Sequence, residues 1–240
     1  MNVNSYPVII DGWSVGRLER EIKMFYPLLG NHWVGRYDEP ESTIEKYIQD
    51  CYSMYFEEKY PTAQGFEWWF HVFTTEDRGI GFHSDHDETH RQREGTMKYP
   101  LRSTITYIRD PNLSPTIILN SQTGKYPNEM KTFPPTEIVV SNPDDGKLLD
   151  FDSRYLHAVF PPNKGRMTLM FNIWDYRPRN LPRHGTQATV YDLRFYKEIA
   201  EQPVSYLGAK YDTTCDVADK RITITGSDDK TDGSTWLVPQ

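Results

Sequence analysis

The sequence predicts a mainly β fold, a sandwich or double-sheet barrel with helices ahead of it and a hairpin behind. Three observations carry this. Between residues 66 and 174, short runs rich in β-branched and aromatic residues recur, each bounded by turn residues. Ahead of them lie two stretches whose apolar residues follow helical spacing. Behind them, two β-branched runs flank a polar stretch at 226–233 that begins and ends in glycine. The 240 residues suit one domain with a sizeable core. We divide it into a helical N-terminal part (about 1–62), a β core (about 66–176) and a C-terminal extension (about 177–240).

Taken in order, Val8, Ile9 and Ile10 predict a short first strand ending at Asp11-Gly12. Ser14 is placed to cap a helix in which Leu18, Ile22, Phe25 and Leu29 form one apolar stripe, closed by Gly30. Ser42 and Glu45 make a capping-box pattern opening a second helix, striped by Ile44, Ile48, Cys51 and Tyr55. The run 66–73 is apolar on both faces and reads as a central strand. Residues 79–87 follow as another, and 88–101, polar and basic, as a loop placed to act as a lid. Strands are then expected over 102–108, 116–119, 137–140, 147–151, 155–160 and 166–174, with a turn at 161–165. An irregular connector, a short helix over 192–201 and a hairpin of 221–225 with 234–238 complete the chain.

Bulk properties narrow the function classes. A net charge of −7 provides no basic face for a phosphate backbone, so no nucleic-acid partner is expected. Two cysteines, Cys51 and Cys215, imply no disulfide framework. No basic start followed by an apolar run, and no stretch of ~18 apolar residues, is present. The expectation is a soluble, cytoplasmic protein with no membrane partner.

The chemistry concentrates in two stretches. In the first, His83 and Asp85 alternate with Phe82 and Ser84, and on an extended strand they share a face. In the second, His157 lies on a distant strand, followed by Arg166 and Thr168 two residues apart. Two histidines and one carboxylate make the facial set that binds Fe(II) while leaving coordination positions open. A guanidinium such as Arg166 can hold the far end of a dicarboxylate through paired charge-assisted hydrogen bonds. His86 and Glu88 form a competing pair on the opposite strand face, and His90 offers a further imidazole. Solvated loop positions account for His86 and His90; a core histidine and a surface ion pair are the bland alternatives for His157 and Arg166.

The order of these residues resembles the double-stranded β-helix of 2-oxoglutarate/Fe(II) oxygenases, in particular a small-molecule branch that includes aziridine-forming enzymes. The resemblance rests on Phe82-His83-Ser84-Asp85-His86-Asp87-Glu88, Thr104-Ile105-Thr106-Tyr107-Ile108 and Pro115-Thr116-Ile117-Ile118, and spans about 66–174. Phe82 stands where that branch has tryptophan. The resemblance implies that His83, Asp85 and His157 bind Fe(II), and that Arg166, with Thr168 and Tyr107, binds the 2-oxoglutarate cosubstrate. It also implies that O2 is consumed in oxidising a C–H bond of a small molecule. Asp85 stands where halogenases of the superfamily have a small residue, which favours hydroxylation, desaturation or cyclisation. Basic residues at 90–98 and 177–183 would suit an anionic or amino-acid-like substrate. A peptide hydroxylase, a cupin-like metal-binding protein and a zinc hydrolase are the alternatives. Oligomeric state is not readable.

Overall fold

The structure is a computed structural model. It describes residues 1–7, 15–25, 30–73, 79–110, 114–127, 129–131, 135–159, 164–183, 211–216, 221–226 and 234–237. The expected strand at 8–10, the cap at Ser14, the helix at 192–201 and most of the turn at 161–165 lie outside the described residues.

In chain order the elements are β1 (Val3–Pro7), α1 (Val15–Phe25), β2 (His32–Gly35), α2 (Thr43–Tyr55), β3 (Gly65–Val72) and β4 (Ile80–His83). Then come α3 (Glu88–Glu94), β5 (Arg102–Arg109), β6 (Thr116–Gln122), β7 (Ile138–Ser141), β8 (Lys147–Phe151), β9 (Tyr155–Val159) and β10 (Met167–Trp174). The last three strands are β11 (Tyr211–Asp216), β12 (Arg221–Gly226) and β13 (Ser234–Leu237). A major sheet runs β1-β8-β5-β10-β3-β2 and a minor sheet β4-β9-β6-β7. Within both, every pairing is antiparallel. These two sheets are the double-stranded β-helix core. The C-terminal strands make their own sheet, β11-β12-β13, so the expected hairpin gains a third strand.

Alternation along β10 divides the molecule. Met167, Leu169, Phe171 and Ile173 belong to the larger core cluster, packed with Leu18 and Ile22 of α1 and Ile44, Ile48 and Cys51 of α2. The helices therefore cover the outer face of the major sheet, as their stripes demand. Met170 turns to the opposite face, joining Ile105, Tyr107, Leu149, Phe151 and Ile118 of the minor sheet. The space between the sheets is where Thr168 and Arg166 also emerge.

Three expectations need correcting. The N-terminal part is not only helical, since β1 and β2 supply both edges of the major sheet. Each is too short to show a period of its own. The loop expected at 88–101 opens with helix α3, capped by the Asp87 carboxylate on the His90 N–H (2.8 Å) and closed by Gly95 at φ 66°. No α3 residue is buried, so no apolar stripe announced it. The segment is also tied down: Asp87 accepts Tyr176 Oη (2.9 Å), Tyr99 Oη donates to Gly124 O (2.6 Å), and Met97 N donates to Lys125 O (2.7 Å). These contacts tie the segment to the strands and loops around it.

The start of α2 differs from a reciprocal capping box. Ser42 Oγ accepts the Glu45 N–H at 3.0 Å, but the Glu45 carboxylate reaches one residue further back, to Glu41 N at 2.7 Å. Ser42→Ala removes the side-chain acceptor and should destabilise the protein by about 1 kcal/mol. Urea unfolding, with unchanged slope, is the check.

Candidate metal centre and anion pocket

β4 and β9 pair with His83 directly opposite His157. That register brings the two imidazoles together, with ring centroids 4.1 Å apart. Asp85 arrives differently from the strand-face expectation. β4 ends at His83 after an irregularity in its pairing, and Asp85 lies beyond it, its N–H bonded to Ser153 O at 3.2 Å. The turn between β8 and β9, not a ladder, therefore positions the carboxylate. Asp85 Oδ1 is 4.0 Å from His83 Nε2 and 3.8 Å from His157 Nε2, and the three donors lie within 4.8 Å of one another. Such spacing is too wide for mutual hydrogen bonds and suits donors converging on one point.

The tautomers are set by the backbone. His83 Nδ1 lies 2.9 Å from Gly81 O and His157 Nδ1 3.2 Å from Tyr155 O. A carbonyl only accepts, so both Nδ1 atoms carry the proton and both Nε2 lone pairs face the cluster. Burial, with the His83 charge second, pushes His157 down to about 4, so its imidazole is neutral and ready to ligate. His86 turns elsewhere, with Nδ1 at 2.9 Å from Ser84 O and Nε2 at 3.0 Å from the Glu88 carboxylate, and His90 Nε2 meets Thr96 Oγ1 at 3.0 Å. Neither approaches the cluster.

Arg166 sits at the foot of β10, where a pairing irregularity between Met167 and Thr168 re-aims the chain. Its side chain is 1% exposed, yet charged neighbours and acceptors surround it. One terminal nitrogen binds Asp110 Oδ2 (3.1 Å) and Ser114 O, the other Thr116 Oγ1 (3.1 Å). The guanidinium also stands 5.4 Å from the Tyr107 ring centroid. Its Nε has no hydrogen-bond partner. Tyr107 is placed beside Arg166, not in the cavity wall: its hydroxyl lies 2.8 Å from Thr116 Oγ1 and 3.1 Å from Ser141 O.

One cavity of roughly 450 Å³, its open mouth included, joins these groups. His83, Asp85 and His157 line it from the minor-sheet side, and Arg166, Thr168 and Met170 from the major sheet. Trp69, His71 and Phe73, alternate residues of β3 and its end, add a wall that the sequence reading passed over as core. A signal existed. In a run otherwise apolar on both faces, Glu67 and His71 fall four residues apart on one face, an unusual pair for a plain core strand. Glu67 is pushed up to about 7, by burial first and by Asp85 besides, while Asn31 Nδ2 (2.6 Å) and Trp174 Nε1 (3.0 Å) donate to it.

A pH test follows for the metal-free protein. An unfolded-chain histidine takes up its proton near ~6.5, whereas folded His157 resists until about 4. Between these values the unfolded state binds more protons, so the contribution from His157 is complete above 6.5 and declines as pH falls to about 4. The unfolding free energy of wild type relative to His157→Asn should therefore fall with decreasing pH only within that window. Paired denaturant titrations across pH 4–8 measure it.

No family model matches the chain, and no curated protein matches it. Among solved structures, it is similar to a prolyl-4-hydroxylase from Pseudomonas putida, with a TM-score of 0.49 and 15% identity over 72% of this chain and 85% of that one. A Trichoplax adhaerens prolyl hydroxylase in complex with a hypoxia inducible factor peptide gives 0.46 and 16%, covering 72% and 83%. EctD from S. alaskensis, with 2-oxoglutarate and 5-hydroxyectoine, gives 0.45 and 12%, covering 71% of each chain. At these scores the reading of the site rests on its own residues.

Proposed function

We propose that this protein is an Fe(II)- and 2-oxoglutarate-dependent oxygenase that oxidises a C–H bond of a small molecule, by hydroxylation, desaturation or oxidative cyclisation. The observation that carries the reading is one cavity lined both by a two-histidine, one-carboxylate cluster and by a buried arginine on the facing sheet. The residues fit the groups they would hold. Backbone carbonyls engage both Nδ1 atoms and leave both Nε2 atoms to the cluster, the donors converge, and the set matches the open-sided preference of Fe(II). Among the described residues, the buried Arg166 Nε has no hydrogen-bond partner.

In this reading His83, Asp85 and His157 hold the iron through three positions and leave the rest for cosubstrate, substrate and oxygen. Bound iron supplies the oxidising chemistry, coupled to conversion of 2-oxoglutarate to succinate and carbon dioxide. Arg166 binds the far carboxylate, with Thr168 beside it on the same strand face. The buried Asp110, Ser114 and Thr116 contacts fix the guanidinium plane before any ligand arrives. Ile80, Ile105, Val159 and Met170 keep the cavity apolar around the metal.

Four of the basic residues that suggested an anionic substrate are engaged within the fold. Arg91 binds Glu88, Arg177 donates to Leu181 O, Arg183 pairs with Glu41, and Lys98 stands over the Tyr176 ring. Substrate choice therefore falls to the cavity wall. No helix among the described residues is long and apolar enough to cross a membrane.

Anaerobic titration with Fe(II) and then 2-oxoglutarate is the direct test. Wild type should develop a weak visible charge-transfer band. His83→Ala and Asp85→Ala should lose tight Fe(II) binding, while His86→Ala keeps it. Arg166→Ala should keep Fe(II) and lose the band. Iron binding without any band in wild type would instead favour a cupin-like metal-binding protein, and turnover without oxygen or 2-oxoglutarate a zinc hydrolase.

A further inference from the structure

His71 lines the cavity from β3 and, among the described residues, has no hydrogen-bond partner. It lies directly opposite Thr168 in the β3–β10 ladder. Phe73 N donates to Arg166 O at 3.0 Å, so Arg166 stands beside Phe73, two residues further along the ladder and on the same face. On strands, side chains of one face repeat every ~7 Å, which sets His71 a short step from Arg166 toward the metal cluster. Its ring makes an edge contact with Phe73 (centroids 6.0 Å) and, among the described residues, no hydrogen bond. It lies outside the three-residue metal group, so it is not a ligand in this arrangement. Burial first, then the His83 and Arg166 charges, hold it near 4, so it presents a neutral imidazole with one N–H donor and one acceptor.

Resting on the oxygenase reading above, we propose that His71 orients the cosubstrate, donating its ring N–H to the 2-oxo acid on the side facing the iron while Arg166 holds the far carboxylate. Thr168, across the ladder, shares this step of the path. Two fixed points, a guanidinium and an imidazole two residues apart along the ladder, set the length of dicarboxylate that fits. A longer or shorter 2-oxo diacid that satisfies Arg166 places its other end out of register with His71. An aliphatic residue at this position would remove the imidazole donor from the β3 wall, leaving only the Trp69 indole N–H and, across the ladder, the Thr168 hydroxyl.

The test is equilibrium binding under anaerobic conditions, read by calorimetry and by the visible band, for wild type, His71→Ala and His71→Asn. Fe(II) affinity is measured first for each. The expected result is unchanged Fe(II) binding in all three, 2-oxoglutarate binding weakened about tenfold or more in His71→Ala, and substantial recovery in His71→Asn, which restores a donor. The preference for 2-oxoglutarate over 2-oxoadipate should shrink in His71→Ala. If wild type binds 2-oxoglutarate and His71→Ala binds it equally well, the role assigned to His71 is wrong while the oxygenase reading stands. If His71→Ala loses Fe(II), His71 is a metal ligand and the proposal is overturned. If wild type itself binds no 2-oxoglutarate, both fall.

Discussion

Everything in this molecule depends on which side of β10 each residue takes. The strand is buried along its whole length, and its odd positions pack under the helices while its even positions face the other sheet. Because side chains alternate with period two, a slip of one residue would throw Arg166 and Thr168 under the helices and Leu169 into the cavity. The flanking strands make that slip costly. β3 pairs with β10 over eight consecutive positions, and β5 holds the other edge. An arginine that is 1% exposed survives there because Asp110, Ser114 O and Thr116 meet it as the chain turns from β5 to β6. Removing one partner of such a pair would strand a buried charge, which is worse than never having made it.

The metal cluster obeys a looser rule. His83 and His157 face each other through strand pairing, but Asp85 is delivered from outside any strand by a single backbone bond to Ser153 O. That division explains what was legible in the sequence. The histidines and the carboxylate could be recognised by their spacing, although the argument from strand alternation gave the wrong reason for Asp85. The two sheets were legible because β-branched runs are local signals. Edge strands β1 and β2 and helix α3 were not, since none carries enough apolar periodicity to stand out from a loop.

Other features exist only in three dimensions. Nothing near Arg166 in sequence indicates Asp110, which is 56 residues away. The resemblance paired Tyr107 with Arg166, and the two are adjacent, but nothing in the sequence marks its hydroxyl contacts to Thr116 and Ser141 O outside the cavity. His71 was hidden for a different reason: in a run this rich in aromatics, an imidazole reads as one more ring. Only the direction of its face distinguishes it from Trp68 and Phe70, whose side of the sheet packs against the helices.

The anchoring of α3 has a consequence for Asp85. Asp87 both caps the helix and accepts Tyr176, and Asp87 N is fixed to Lys98 O at 2.9 Å, all within two residues of Asp85. Two residues separate that anchor from Asp85, so the contacts that hold the start of α3 also limit where the Asp85 carboxylate can go.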